Sequence, residues 1–140
     1  MNTSLSNMDI EAMGLLSRTT GAEARDVVLS DASVVFVVKI GDLGKAIGKQ
    51  GSNIHKLERM FGKEVTVVEE AQSLGGFVSN LFSPARIVET REAGSGVKKT
   101  LLVKVEPSSK GAAIGTGGSK IKRARLLLKR HYGFEEVRII

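Results

Sequence analysis

Cysteine and tryptophan are missing from this chain of 140 residues, and tyrosine occurs once. Without cysteine, disulfides, thiolate nucleophiles and thiolate metal sites are excluded. Aromatic residues make up only 4%, so any core must be built from Val, Ile and Leu, and stacking on nucleic-acid bases is poorly supplied. Long apolar runs are lacking too. The longest aliphatic or aromatic stretch, Val34 to Val38, is far too short to cross a bilayer. The N-terminus has no basic region followed by an apolar core, so the expectation is a soluble, cytoplasmic protein with no membrane role. Histidine occurs twice, as His55 and His131 in different halves, each read as a surface or helix-end residue. No Ser/His/acid spacing suggests a nucleophile, and Glu69-Glu70 has no neighbour that would raise a pKa. No catalytic residue, metal or cofactor is expected.

Negative charge is scarce in one half. Residues 1–70 carry 8 Lys and Arg against 10 Asp and Glu, a balance of −2, whereas residues 71–140 carry 13 against 5, a balance of +8. A polyanion should feel mainly the second half.

What the chain does have is glycine, 16 in all, and a phrase used twice. Ala-Ile-Gly-x-x-Gly-Ser-x-Ile runs from Ala46 to Ile54 and again from Ala113 to Ile121. Over Gly44 to Ile54 and Gly111 to Ile121, seven of eleven positions are identical, at a constant offset of 67 residues. A duplicated domain follows, with boundaries at 1–70 and 71–140. Only Glu70 to Gln72 join the halves, too short and too poor in Gly, Ser and Pro for a flexible linker, so a semi-rigid pair is expected.

The surrounding pattern is the same in each half: α-β-β-α-α-β. Ser6 and Asp9 suit a capping box, with Leu5 placed to staple onto Ile10, opening a helix to about Thr20. Arg25 to Ser30 and Ser33 to Ile40 read as strands, the second with Val34, Phe36, Val38 and Ile40 on one face. A short helix over Asp42 to Ile47, the glycine phrase, a helix opened by a capping Ser52 and closed by Gly62, and a strand over Val65 to Val68 complete the half. In the second half Leu74, Phe77, Val78, Leu81 and Phe82 mark a helix face ended by Pro84. Strands near Ala85 to Glu92 and Lys98 to Glu106 flank a Gly94-Ser95-Gly96 turn. A short helix from Ser108, the second glycine phrase, a helix from Ser119 to Tyr132 and a strand over Glu135 to Ile140 follow. Gly51 to Gly62 spans 11 residues but Gly118 to Gly133 spans 15, so the second long helix is about one turn longer.

Each glycine phrase sits between two helices, where absent side chains let a phosphodiester approach the backbone and the next helix offers amides and a positive dipole end. The alternative is a pair of tight helix-helix turns. Neither copy fits a Walker loop, because only three residues separate Gly44 from Gly48 where four are needed and Gln50 follows Lys49, nor a dinucleotide fingerprint.

Two αββααβ units with Ile-Gly-x-x-Gly between helices resemble type II KH domains, and the tandem pair is similar to the archaeal NusA-like transcription factors. The segment from Val37 to Ile54 carries most of that likeness. The resemblance implies an α/β (α+β) fold in which each domain is a three-stranded mixed sheet covered on one face by three helices. It implies single-stranded RNA as ligand, RNA polymerase or other transcription machinery as partner, a monomer, and a role in transcription termination or antitermination. By the same likeness the first clamp is Gly48-Lys49-Gln50-Gly51, with Lys45 flanking and Ser52 following. The second is Gly115-Thr116-Gly117-Gly118, followed by Ser119, where charge must come from Lys120, Lys110 or Arg123. Groove floors fall to Ile47 and Ile54, then Ile114 and Ile121, residues that could equally be core. About four nucleotides per domain are expected. The other function compatible with the sequence is a protein-interaction adaptor docking on RNA polymerase or the ribosome with one or both grooves idle.

Overall fold

In the computed structural model, which describes residues 5–94 and 98–140, the Ser6 hydroxyl accepts from the Asp9 amide and the Asp9 carboxylate accepts from the Ser6 amide. These reciprocal bonds satisfy two otherwise orphaned donors and start α1 (Asn7–Thr20), which Gly21 ends in the left-handed region at φ 78°. Ile10 is 56% exposed, so the apolar staple expected of it covers little.

The chain divides into two compact units between Ala71 and Gln72. In the first, β1 (Ala24–Leu29) pairs antiparallel with β2 (Ser33–Val38), and β2 pairs parallel with β3 (Glu64–Glu69). Central β2 sets Phe36 opposite Val27 and Val34 opposite Val65. Val34, Phe36 and Val38 share one face by strand alternation, and Ala12, Leu16, Ala46 and Leu57 from the helices complete that core. α2 (Leu43–Ile47) and α3 (Ser52–Phe61) therefore lie on the same face as α1. Val35 and Val37 are also buried, in keeping with an unbroken apolar run over Val34 to Val38. Ile40 departs from expectation. The Asp42 amide bonds the Lys39 carbonyl at 3.0 Å and Gly41 takes φ 93°, so the strand has already turned and Ile40 is 43% exposed.

The second unit repeats the order: α4 (Leu74–Phe82), β4 (Ile87–Ala93), β5 (Thr100–Val105), α5 (Lys110–Ile114), α6 (Ser119–Tyr132) and β6 (Glu136–Ile139). Its sheet again joins an antiparallel to a parallel pair, in the order β4-β5-β6. Both antiparallel pairs slip register near the start of their first strand, at Ala24/Asp26 and at Ile87/Glu89, so the duplication extends to irregularities of the sheet. The turn expected over Gly94-Ser95-Gly96 lies largely outside the described residues. α6 runs over the residues its glycine and serine boundaries indicated, and Ile121, Ala124, Leu127 and Leu128 form its buried face. Each unit is thus a mixed α+β fold around one three-stranded sheet.

Candidate nucleic-acid interface

The two glycine phrases adopt one backbone conformation. Gly48 and Gly115 stand at φ/ψ 76/171° and 77/169°, Gln50 and Gly117 at 55/32° and 62/20°, and Gly51 and Gly118 at 76/14° and 77/15°. Each bend is a single 3-10 turn, Lys49–Gly51 or Thr116–Gly118, between a five-residue helix and a long one. Gln50 is the one positive-φ residue other than glycine among the described residues. Such strain in a side-chain-bearing residue clusters at functional sites.

Why the outer glycines are needed can be read from their surroundings. A Cβ on Gly48 would lie 2.9 Å from the Asn53 amide nitrogen, and one on Gly115 would lie 2.9 Å from that of Lys120. The first glycine of each bend is therefore required by the approach of the following helix, whatever binds outside. At Gly51 the nearest atom would be His55 Nε2 at 3.5 Å, and at Gly117 nothing lies within 4 Å. There, backbone conformation alone favours glycine.

The bends spend part of their amide supply internally. The Gly48 amide bonds the Gly44 carbonyl at 2.9 Å, and the Gly51 amide bonds the Gly48 carbonyl at 3.1 Å. Gly115 and Gly118 repeat both bonds at 3.0 and 3.1 Å, and the Ser52 and Ser119 amides turn back to Lys49 and Thr116. These contacts use neither the Lys49 and Gln50 amides nor those of Thr116 and Gly117. Bare amides are thus a feature of the tip, not of the whole bend. The serines also differ from expectation: Gly51 and Gly118 are the N-caps, and Ser52 and Ser119 are already helical, with no side-chain cap bond. A left-handed glycine turns the chain into the helix one residue early, which leaves the hydroxyl past the position from which it could cap.

Matched side-chain tethers hold the bends in place. Asp42, nearly buried at the start of α2, accepts from the Glu23 amide at 2.8 Å, and Ser109, 67 residues on, accepts from the Arg86 amide at 3.1 Å. The Glu23 amide is the main cause holding the Asp42 carboxyl below its ordinary 3.8; burial opposes it, and Lys45 and Lys39 assist. Behind each bend, Asn53 Nδ2 donates to the Lys45 carbonyl at 2.7 Å, while Lys120 Nζ donates to the Ser83 carbonyl at 2.9 Å.

That last bond changes the reading of Lys120. Its ammonium, expected at a ligand phosphate, gives one of its three N–H donors to the protein, and burial, then neighbouring Arg123, lowers its pKa. Arg123 is itself half-buried. Lys49, Gln50, Thr116 and Gly117 are exposed at the tips, and Lys45 is exposed beside the first with its ammonium 3.7 Å from Asp42. Ile47 and Ile114 stand 37% and 43% exposed just before the bends. Ile54 is half-buried, but Ile121 is only 8% exposed and belongs to the core of its unit. Two residues outside the clamps named from the sequence also reach the bends. His55 lies beside Gly51, and the Lys122 stem passes 4.0 Å from where a Gly118 Cβ would be. Both sit four residues beyond the second glycine, the helical spacing that faces back over the bend, and that spacing was visible in the sequence. Among the described residues, no helix is long and apolar enough to cross a membrane and no three His, Asp or Glu gather as a metal cluster would require.

The KH domain model matches residues 14–88, from inside α1 to the start of β4. A curated relative from Methanocaldococcus jannaschii, "Probable transcription termination protein NusA", is 32% identical over 97% of this chain and 74% of its own length. The chain belongs to the archaeal NusA-like KH proteins. A family member of the same name from Halobacterium salinarum is 32% identical over 99% of both chains. Among solved structures, the crystal structure of APE1850 matches with a TM-score of 0.87 at 33% identity, covering 97% of this NusA-like chain and all of that one.

Proposed function

We propose that this NusA-like protein binds single-stranded RNA during transcription termination or antitermination, and that each αββααβ unit, 1–70 and 71–140, is a type II KH domain whose glycine bend clamps the RNA backbone. The observation that carries this reading is the pair of bends with one conformation, each presenting an exposed tip and an exposed isoleucine. A phosphate at the first tip meets the Lys49 and Gln50 amides, the Lys49 ammonium and, from the side, Lys45. At the second tip the Thr116 and Gly117 amides and the Thr116 hydroxyl take that place, with Lys122, whose stem passes beside Gly118, as a cation. Lys120 and Arg123 act there as supports of the bend. Ile47 and Ile54, and Ile114 alone in the second unit, give the bases an apolar surface. The +8 balance of residues 71–140 draws the polyanion in, and the name shared by the relatives supports the termination role.

The test is titration of unstructured RNA over a range of salt. Affinity falls with salt for the parent chain, and Lys49→Ala lowers the slope by about 0.7, the share of one phosphate contact on a single strand. Aspartate pairs at both tips together, Lys49→Asp with Gln50→Asp and Thr116→Asp with Gly117→Asp, remove binding with little change in melting temperature; retained affinity and slope in that combined variant would reject the reading.

A further inference from the structure

The extra turn of α6 shows what its counterpart lacks. In the second unit Lys129–Tyr132 extends the helix so that His131 and Tyr132 each place a ring 5.9 Å from Phe77 on α4. In the first unit Gly62 stops α3 at Phe61, with its amide closing on Glu58. Beside α1, at the Phe61 end of that shorter helix, lies a cavity of about 390 Å³, within the size range of pockets that enclose ligands. Its floor is apolar, built by Ala12, Val34 and Phe61, and Met8 and Leu15 stand at its mouth. Met8 is 70% exposed, an adaptable side chain at an open edge. Cations outnumber anions around it: Arg18 and Lys63 face a single Glu11, and Lys63 is held in place by its bond to the Ser30 carbonyl at 2.8 Å.

We propose that this cavity docks a helical segment of a protein partner, one that inserts an aromatic side chain as α6 does on Phe77 and carries an acidic residue within a turn of it for Arg18 and Lys63. The internal repeat supplies the shape of the occupant, and the rim supplies its charge. The cavity lies at the Phe61 end of α3, about 15 Å along the helix from the glycine bend. It is therefore separate from the RNA surface proposed above, and the two can fail independently.

Selection of displayed helical peptides of random sequence on the full chain tests this, followed by affinity measurement with the peptides recovered. The expected peptides combine Phe, Tyr or Trp with Asp or Glu one turn away. Met8→Asp, an exposed change that leaves the fold intact, weakens them about tenfold, Arg18→Glu about fivefold, and Lys49→Asp with Gln50→Asp leaves them bound. RNA affinity is unchanged by Met8→Asp. Recovery of no peptide, recovery of basic peptides, or binding indifferent to Met8→Asp overturns the proposal.

Discussion

Replacing the glycines of the two bends by alanine, one at a time, should produce a graded loss of stability whose order follows from the geometry. At Gly117 an added Cβ meets nothing within 4 Å, so the cost is conformational only. A left-handed non-glycine residue costs about 1–2 kcal/mol, and loss of glycine's freedom in the unfolded chain returns about 0.4–1 kcal/mol, which leaves roughly 0.5–1 kcal/mol. At Gly51 and Gly118 the nearest atoms lie 3.5 and 3.8 Å away, so a similar loss is expected. At Gly48 and Gly115 the new carbon would lie 2.9 Å from a backbone nitrogen of the next helix, and the helix must shift. The loss there should reach about 2–4 kcal/mol, in the range where strain at a special backbone position becomes diagnostic. The reverse change at the strained position, Gln50→Gly, should stabilise the first unit by about 0.5–1 kcal/mol.

Tyr132 is the sole tyrosine in a chain without tryptophan, so its fluorescence during denaturation reports the second unit, where Gly115→Ala and Gly117→Ala can be compared directly. Amide hydrogen exchange reads the first unit, which has no such probe. At about 4–8 °C per kcal/mol for domains of this size, the two substitutions should differ in melting temperature by several degrees or more. If Gly115→Ala costs no more than Gly117→Ala, the outer glycine is not demanded by the following helix, and its absent side chain must be explained by the ligand alone.

Asp42 makes the first unit sensitive to acid. Its carboxyl is held below 3.8 in the folded state, so its contribution is complete above the unfolded value and lost as pH falls through the folded one. Asp42→Asn should flatten the stability of the first unit below about pH 4, while the second unit, with Ser109 in that place, shows no corresponding change; equal acid profiles for parent and variant would refute the assignment. The two lysines of the second bend should separate cleanly. Lys120→Ala should lower melting temperature through the lost Ser83 bond, and Lys122→Glu should weaken RNA binding with melting temperature unchanged, as thermal denaturation and RNA titration on the same samples would reveal.

Much of this architecture was open to reading because it rests on local signals. Ser6 with Asp9, Gly62, and the Ser119 to Tyr132 interval each fix an element boundary through residues a few positions apart, and each element appears where those residues put it. The misreadings share a different origin. Whether Ser52 caps depends on Gly51 being left-handed, a backbone state that the residue types permit but do not dictate. Lys120 finds its acceptor 37 positions away at Ser83, and no spacing rule within α6 announces that. Ile54 and Ile121 occupy equivalent places in the repeat, yet the second is the more deeply buried, because burial is decided by what packs around a residue.

Duplication lets the residues of one bend serve as the control for the other. Asp42 and Ser109 perform the same tethering with and without a titratable group, and Gln50 and Gly117 hold the same conformation with and without strain. Asn53 and Lys120 tie the following helix down through different acceptors, and His55 and Lys122 lie over the same glycine with different charge. Backbone shape is kept in every pair while side-chain chemistry changes, so the requirement common to both units is the bend itself. Under the proposed reading the units then divide their work. The first tip offers its own cation, Lys49, on a strained turn, whereas the second offers an unstrained turn without one, and the half-buried Lys120 behind it bonds the Ser83 carbonyl. Affinity for a short RNA should therefore depend more on the first bend, and the basic second unit should contribute mainly long-range attraction that weakens as salt rises.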